Sequence, residues 1–245
     1  MDTKQHARSG SLKEFSRFAH DYDRYNIIQS QAAEALVSNI PVDHYPCIVD
    51  LGCGSGEVYK NIRQKGFSFD HFTALDSSQK MLDIHPVDLK VEKICADFNT
   101  QEAFETFSTD EKSILISSSA LQWSHDLDFT FSHLSKKAKQ AYFAIFTAST
   151  FKTLHQIADI RSPIYTEAVL KNTIDRYYQA EYETYSYKLY FDSTYDMLNY
   201  IKKSGVSGGE KKLTYKQVKE LIAAYPLDYL EFEVLFVTAR SCSFA

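Results

Sequence analysis

The chain has 245 residues, a formal net charge of −5 and 44% hydrophobic residues. That is enough apolar material for one substantial core, of the size usual for an open α/β sheet. The acidic balance excludes obligate nucleic-acid binding through a strongly basic face, and no apolar run reaches the roughly 20 residues that span a bilayer.

Met1 to Gly10 is polar and holds no apolar secretory segment, so a cytoplasmic protein with a disordered start is expected. Cys47, Cys53, Cys95 and Cys242 show no C-x-x-C spacing, which suggests reduced thiols rather than a zinc site or a disulfide framework. The 17 Tyr and 17 Phe fit aromatic filling of a core.

In chain order, apolar residues at Phe15, Phe18, Ala19, Tyr22, Ala32, Leu36 and Ile40 predict one or two amphipathic helices, ended by Pro41 and Pro46. Cys47–Leu51 reads as a buried strand, followed by a glycine loop and a helix over Glu57–Lys65. Further strands are predicted at His71–Leu75, Val91–Cys95, Ser113–Ser117 and Gln140–Thr147, with helices between most of them. Phe151–Asp175 reads as mainly helical around Pro163, Tyr182–Phe191 as a strand, and Thr194–Lys203 and Thr214–Tyr225 as helices. Ser204–Gly209 reads as a flexible loop, and Tyr229–Thr238 as the last strand. Alternating strands and helices imply an α/β, doubly wound, mostly parallel seven-stranded sheet of Rossmann-like type. The last strand is expected to be antiparallel and helices to be added at the N-terminus. One domain over 1–245 is expected, with a helical cap (1–45), a cofactor-binding core (46–148) and an acceptor side (149–245).

The informative motif is Asp50-Leu51-Gly52-Cys53-Gly54-Ser55-Gly56, set between the first strand and its helix. Glycines there allow a tight turn and a close approach of backbone to ligand, which implies a nucleoside cofactor. Asp76 ends the second strand twenty positions after Gly56, where a carboxylate accepts from ribose hydroxyls. A dinucleotide fingerprint would need glycine at position 57, which is Glu57, and a carboxylate repels pyrophosphate. S-adenosylmethionine carries a zwitterionic amino acid and a sulfonium but no phosphate, so it tolerates Asp50 and Glu57.

Asp97 and Phe98 follow the third strand, as an acceptor for the adenine amino group and a ring for its face. Asp50, Gly52, Gly54, Gly56, Asp76, Ser77, Met81, Asp97, Phe98, Ser117, Ser118 and Gln122 form the expected cofactor set. The plainer alternatives are that Asp76-Ser77-Ser78 caps the next helix and that Asp97 is a turn residue.

Phe15-Ser16-Arg17-Phe18-Ala19-His20-Asp21-Tyr22-Asp23-Arg24-Tyr25, with Gln29 and Gln31, resembles the N-terminal segment of the malonyl-acyl-carrier-protein O-methyltransferases of biotin synthesis, a class I methyltransferase family. Ser119–Trp123, Ile201–Val206, Tyr225–Leu227 and Leu235–Arg240 resemble further segments of it, so the likeness runs from about residue 12 to Arg240. Ser119 stands where the family usually has Asn, and residues 151–182 match it least. The resemblance implies methylation of the free carboxylate of a malonyl thioester, with malonyl-loaded acyl carrier protein or malonyl-coenzyme A as acceptor and neither nucleic acid nor membrane as partner.

A malonyl carboxylate is already ionised at neutral pH, so no base has to create the nucleophile. The expected tasks are positioning and water exclusion. Tyr22 and Trp123 are expected to cover the transfer site, Gln122 to contact cofactor, and Arg17, Lys152 or Arg161 to orient the malonyl group. His20, His125 and His155 are expected to be structural or solvent-facing. Lys202, Lys203, Lys211, Lys212, Lys216 and Lys219 are a candidate landing patch for an acidic carrier, or an ordinary solvated face. Methylation of another small acid or hydroxyl, an NAD-dependent oxidoreductase (disfavoured by Glu57) and a non-catalytic adaptor are the alternatives.

Overall fold

The computed structural model describes residues 26–204 and 213–242. The N-terminal block with Arg17, His20 and Tyr22, and Lys211 and Lys212, lie outside the described residues. So does Gly205 to Gly209 of the expected loop, whereas Ser204 still belongs to a helix.

Helix α1 (Ile27–Ser38) precedes β1 (His44–Leu51), α2 (Glu57–Gln64), β2 (Ser68–Asp76), α3 (Gln79–Ile84) and β3 (Val91–Cys95). Then come α4 (Gln101–Glu105), β4 (Ile114–Ser118), a 3-10 turn (Leu121–Trp123), α5 (Leu127–Lys137) and β5 (Gln140–Phe146). The chain continues through α6 (Lys152–Ile157), α7 (Glu167–Ile174), β6 (Tyr178–Tyr190), α8 (Thr194–Ser204), α9 (Tyr215–Ala224) and β7 (Tyr229–Ser241). The strands form one seven-stranded sheet ordered β3-β2-β1-β4-β5-β7-β6. β1 to β5 pair in parallel, and β7 lies antiparallel between β5 and β6. The strand order reverses between β1 and β4, and a ligand cleft belongs at the carboxyl ends of those strands.

Alternation along β1 divides its side chains between two packed layers. Ile48 joins the layer that holds α1 and α2, whereas Val49 and Leu51 join the layer with Phe131 and Leu134 of α5. In α1 the buried stripes Ile28–Ala32–Leu36 and Gln29–Ala33–Val37 lie at helical spacing. Val58, Tyr59 and Ile62 give α2 its buried face.

Pro46 does not end the N-terminal region; it lies inside β1. The strand tolerates it because β4 pairs with β1 only from Ile48 onward, so the missing N–H falls where one side is unpaired. β6 begins four residues before its expected start. Gln179, Glu181 and Glu183 are exposed on this edge strand, and the ladder to β7, not an apolar run, fixes its extent. The expected helical stretch around Pro163 resolves into α6 and α7, separated by residues 158–166. Asp159, with φ 50, ends α6: its N–H donates to the Gln156 carbonyl and the Ile160 N–H to the His155 carbonyl. No helix among the described residues is long and apolar enough to cross a membrane.

Candidate active site

The loop after β1 is built on positive φ angles: 74° at Gly52, 52° at Gly54 and 88° at Gly56. The N–H groups of Gly52 and Cys53 donate to the Leu75 carbonyl at 2.7 and 3.0 Å, which ties the loop to the end of β2. Asp76 completes the tie. Its Oδ2 accepts from the Gly54 N–H at 2.9 Å and its Oδ1 from the Ser78 N–H at 2.8 Å. The next helix starts from Ser78, not Asp76, and no side chain caps it. Burial pushes the Asp76 carboxyl above the ordinary range, and these two backbone bonds oppose the shift.

Asp50 carries the stronger signal. It is completely buried, and neither carboxylate oxygen accepts a hydrogen bond from a described residue. Burial, with Asp76 adding repulsion, holds its pKa well above the ordinary carboxylate value. A buried acid without a donor is costly unless a ligand supplies one.

A cleft of about 1000 Å³, open mouth included, lies at these strand ends. Of the residues expected from sequence, Asp50, Gly52, Gly54, Asp76, Ser77, Met81, Asp97, Phe98, Ser118 and Trp123 line it. A Cβ on Gly54 would meet nothing within 4 Å, so this part of the backbone faces open space. Asp97 accepts from the Asn99 N–H at 3.0 Å and the Asn99 side-chain amide at 2.8 Å, both through Oδ1, so it shapes its turn and also faces the cleft.

Three expected cofactor residues do not line the cleft. Gly56 starts α2 and packs on the His85–Pro86 turn, where a Cβ would come within 2.7 Å of both residues. Ser117 points to the opposite side from Ser118, as strand alternation requires, and its hydroxyl donates to the Leu51 carbonyl at 2.7 Å. Gln122 turns inward from the 3-10 turn and donates to the Ser119 carbonyl at 2.7 Å. The cations are also displaced: Arg161 and Lys152 are exposed, and neither lines the cleft. His155 is half-buried on α6 against the edge of Phe151, and burial lowers its pKa. His125 is exposed, as expected, and also lines the cleft. Lys202, Lys216 and Lys219 are exposed on α8 and α9, with Lys216 3.7 Å from Glu220.

Gln29, Ala33, Asn99 and Ser119, which carry no site motif of their own, also line the cleft. The positions of Gln29 and Ala33 follow from the second buried stripe of α1. Glu57 also lines the cleft and is fixed between helices, accepting from the Ser30 hydroxyl at 2.6 Å and from Lys60 at 2.7 Å.

The residues fit S-adenosylmethionine: a buried acid for the ammonium group, Asp76 for the ribose, Met81 and Phe98 as apolar walls, and an open glycine backbone. Residues 49–145 match the family model described as a methyltransferase domain. Over 223 residues the chain is 25% identical to the malonyl-acyl-carrier-protein O-methyltransferase of Haemophilus influenzae, covering 86% of this chain and 83% of that protein. It is 29% identical over 154 residues to the Bacillus cereus protein of the same name, covering 58% of this chain but only 55% of that protein. Phosphoethanolamine N-methyltransferase 2 of Haemonchus contortus, solved with phosphomonomethylethanolamine and S-adenosylhomocysteine, shares the fold with a TM-score of 0.53. Its identity is 14%, with 86% of this chain and 52% of that one covered. The matched domain begins on β1 and ends on β5, so it contains the glycine loop and every acid of the cleft, and the chain is an S-adenosylmethionine-dependent methyltransferase with the Rossmann-like fold of that class.

Proposed function

We propose that the protein transfers the methyl group to the free carboxylate of a malonyl thioester, carried by acyl carrier protein or coenzyme A, giving a methyl ester of the kind that primes pimeloyl and biotin synthesis. The observation that carries this reading is the likeness to the Haemophilus influenzae methyltransferase, which spans most of both chains. The cleft supports it chemically.

S-adenosylmethionine supplies an electrophilic methyl group on a sulfonium. Asp50 holds its ammonium group, Asp76 its ribose hydroxyls and Asp97 its adenine amino group, while Met81 and Phe98 exclude water from the apolar parts. Ser77 and Ser118 border the same space. The acceptor carboxylate arrives ionised, so the chain's residues orient it and keep water out, and no histidine base is needed. In-line placement in a dry site then supplies much of the acceleration. Tyr22 and Arg17 belong to this reading as a cover and an orienting cation from the N-terminal block, and Trp123 as a wall of the transfer site.

Mass spectrometry of products tests the proposal. One methyl group should be added to a malonyl thioester and none to the acetyl thioester, and the product should be labile to base. Equal methylation of both thioesters would overturn the carboxylate assignment.

A further inference from the structure

The lining of the cleft carries four carboxylates, Asp50, Glu57, Asp76 and Asp97, and among the described residues it carries no Lys or Arg. An anionic acceptor entering this space therefore meets the described wall through neutral donors. Ser55 Oγ of the glycine loop is one unpartnered donor, and one short segment provides three more. Ser118 ends β4, Ser119 follows it, and Trp123 ends the 3-10 turn; all three line the cleft. Their polar side-chain atoms, Ser118 Oγ, Ser119 Oγ and Trp123 Nε1, are shut off from water and have no hydrogen-bond partner among the described residues. The indole N–H is a donor only, so nothing but an acceptor atom satisfies it.

Ser119 adds backbone evidence. It is held at φ 61, a left-handed conformation in which serine is uncommon. Its N–H donates to the Ala144 carbonyl at 2.8 Å, and its carbonyl accepts from Gln122 at 2.7 Å. Such a conformation persists where the surroundings over-determine it, and it concentrates at ligand-binding positions. The cleft thus has two characters: carboxylate acceptors from β1 to just beyond β3, and unpartnered donors concentrated on residues 118–123.

We infer that Trp123 Nε1–H and Ser119 Oγ–H form a neutral donor pair that seats the acceptor's carboxylate, an inference that rests on the malonyl reading above. Neutral donors suit this task. Attack on a sulfonium disperses the carboxylate's charge, so neutral donors add orientation beside the proposed Arg17 without the extra ground-state stabilisation that a second full charge would bring.

Binding tests the pair separately from turnover. Trp123 is the only tryptophan of the chain, so with S-adenosylhomocysteine present its emission should shift on adding malonyl-coenzyme A and stay unchanged with acetyl-coenzyme A. By calorimetry, Trp123→Phe and Ser119→Ala should each weaken malonyl-coenzyme A by about ten-fold or more, the size expected for one hydrogen bond to a charged group. Binding of S-adenosylhomocysteine should be unchanged in both, which separates a seat for the acceptor from a structural role. Wild-type affinity for malonyl-coenzyme A in both variants, or no binding by the wild type, overturns the pair. Loss of binding in the variants without any wild-type methylation of malonyl thioesters would keep the pair and overturn the malonyl reading.

Discussion

Carboxylates drawn toward the interior behave differently in the two halves of the sheet. On β7, Glu231 accepts from the Thr153 N–H and hydroxyl, both at 2.9 Å, and so caps the start of α6, whose own N-cap residue, Phe151, provides no side-chain bond. Glu233, two residues on, accepts from the Thr147 hydroxyl at 2.5 Å. In the other half of the sheet, Asp50 accepts nothing from the described residues, and Asp76 spends one bond from each oxygen on the backbone of Gly54 and Ser78. The residue chemistry is shared, but the function is decided by whether the chain itself supplies the donors. Glu231 and Glu233 join β7 to the segment after β5, whereas Asp50 receives no donor from the described residues and Asp76 is tied only to the loop and turn beside the cleft.

The contrast is broken most directly by removing one acid from each half. Asp76→Ala should weaken S-adenosylmethionine about ten-fold or more, because hydrogen bonds to a charged acceptor contribute roughly 1.5 to 3 kcal/mol. Glu231→Ala should instead lower unfolding stability by about 0.5 to 2 kcal/mol, the range for losing a helix cap, and leave cofactor affinity near wild type. Calorimetry and denaturant titration of both variants check the division. A cofactor defect in Glu231→Ala equal to that of Asp76→Ala would erase it.

Asp50 sharpens the contrast through pH. Its carboxyl titrates well above the ordinary carboxylate value in the folded chain, so between those two values the folded chain binds a proton that the unfolded chain has released. The stability this proton provides is complete below the ordinary carboxylate pKa, falls as pH rises through the window and is gone above the raised value. The cofactor ammonium favours the ionised acid, so binding releases a proton and affinity rises with pH across the same window. Asp50→Asn should weaken the cofactor several-fold and flatten both dependences, as measured by calorimetry in buffers of different ionisation enthalpy and by melting curves. The same slopes in Asp50→Asn and wild type would show that another group carries them.

The smallest expected effect lies in the satisfied half. Asp159 holds a left-handed conformation at the end of α6, where glycine is favoured. Asp159→Gly should raise stability by about 0.5 to 1 kcal/mol, the left-handed penalty less the entropic cost of glycine, seen as a higher denaturant midpoint with unchanged cofactor affinity. A lower midpoint would mean that the aspartate side chain itself holds the turn.

The sequence by itself determined the alternating sheet, the glycine loop and the acids at the carboxyl ends of β1, β2 and β3. These follow from local rules: apolar period, the freedom of glycine, and acidic residues placed at strand ends. Only the tertiary structure decided which neighbours reach the cleft. Gly56 and Gly54 belong to one motif, yet His85 and Pro86, far along the chain, close around Gly56 and leave Gly54 open. Ser117 and Ser118 are adjacent, but pairing of β4 beside β1 aims one at the Leu51 carbonyl and the other at the cleft. Gln122 turns inward while Trp123 lines the cleft because the 3-10 turn after Ser119 sets their directions. Gln29 and Ala33 reach the cleft because α1 packs across α2 and the end of the sheet. Residue type and local period are written in a few neighbouring positions, whereas the direction of a side chain at a strand end depends on partners tens of residues away.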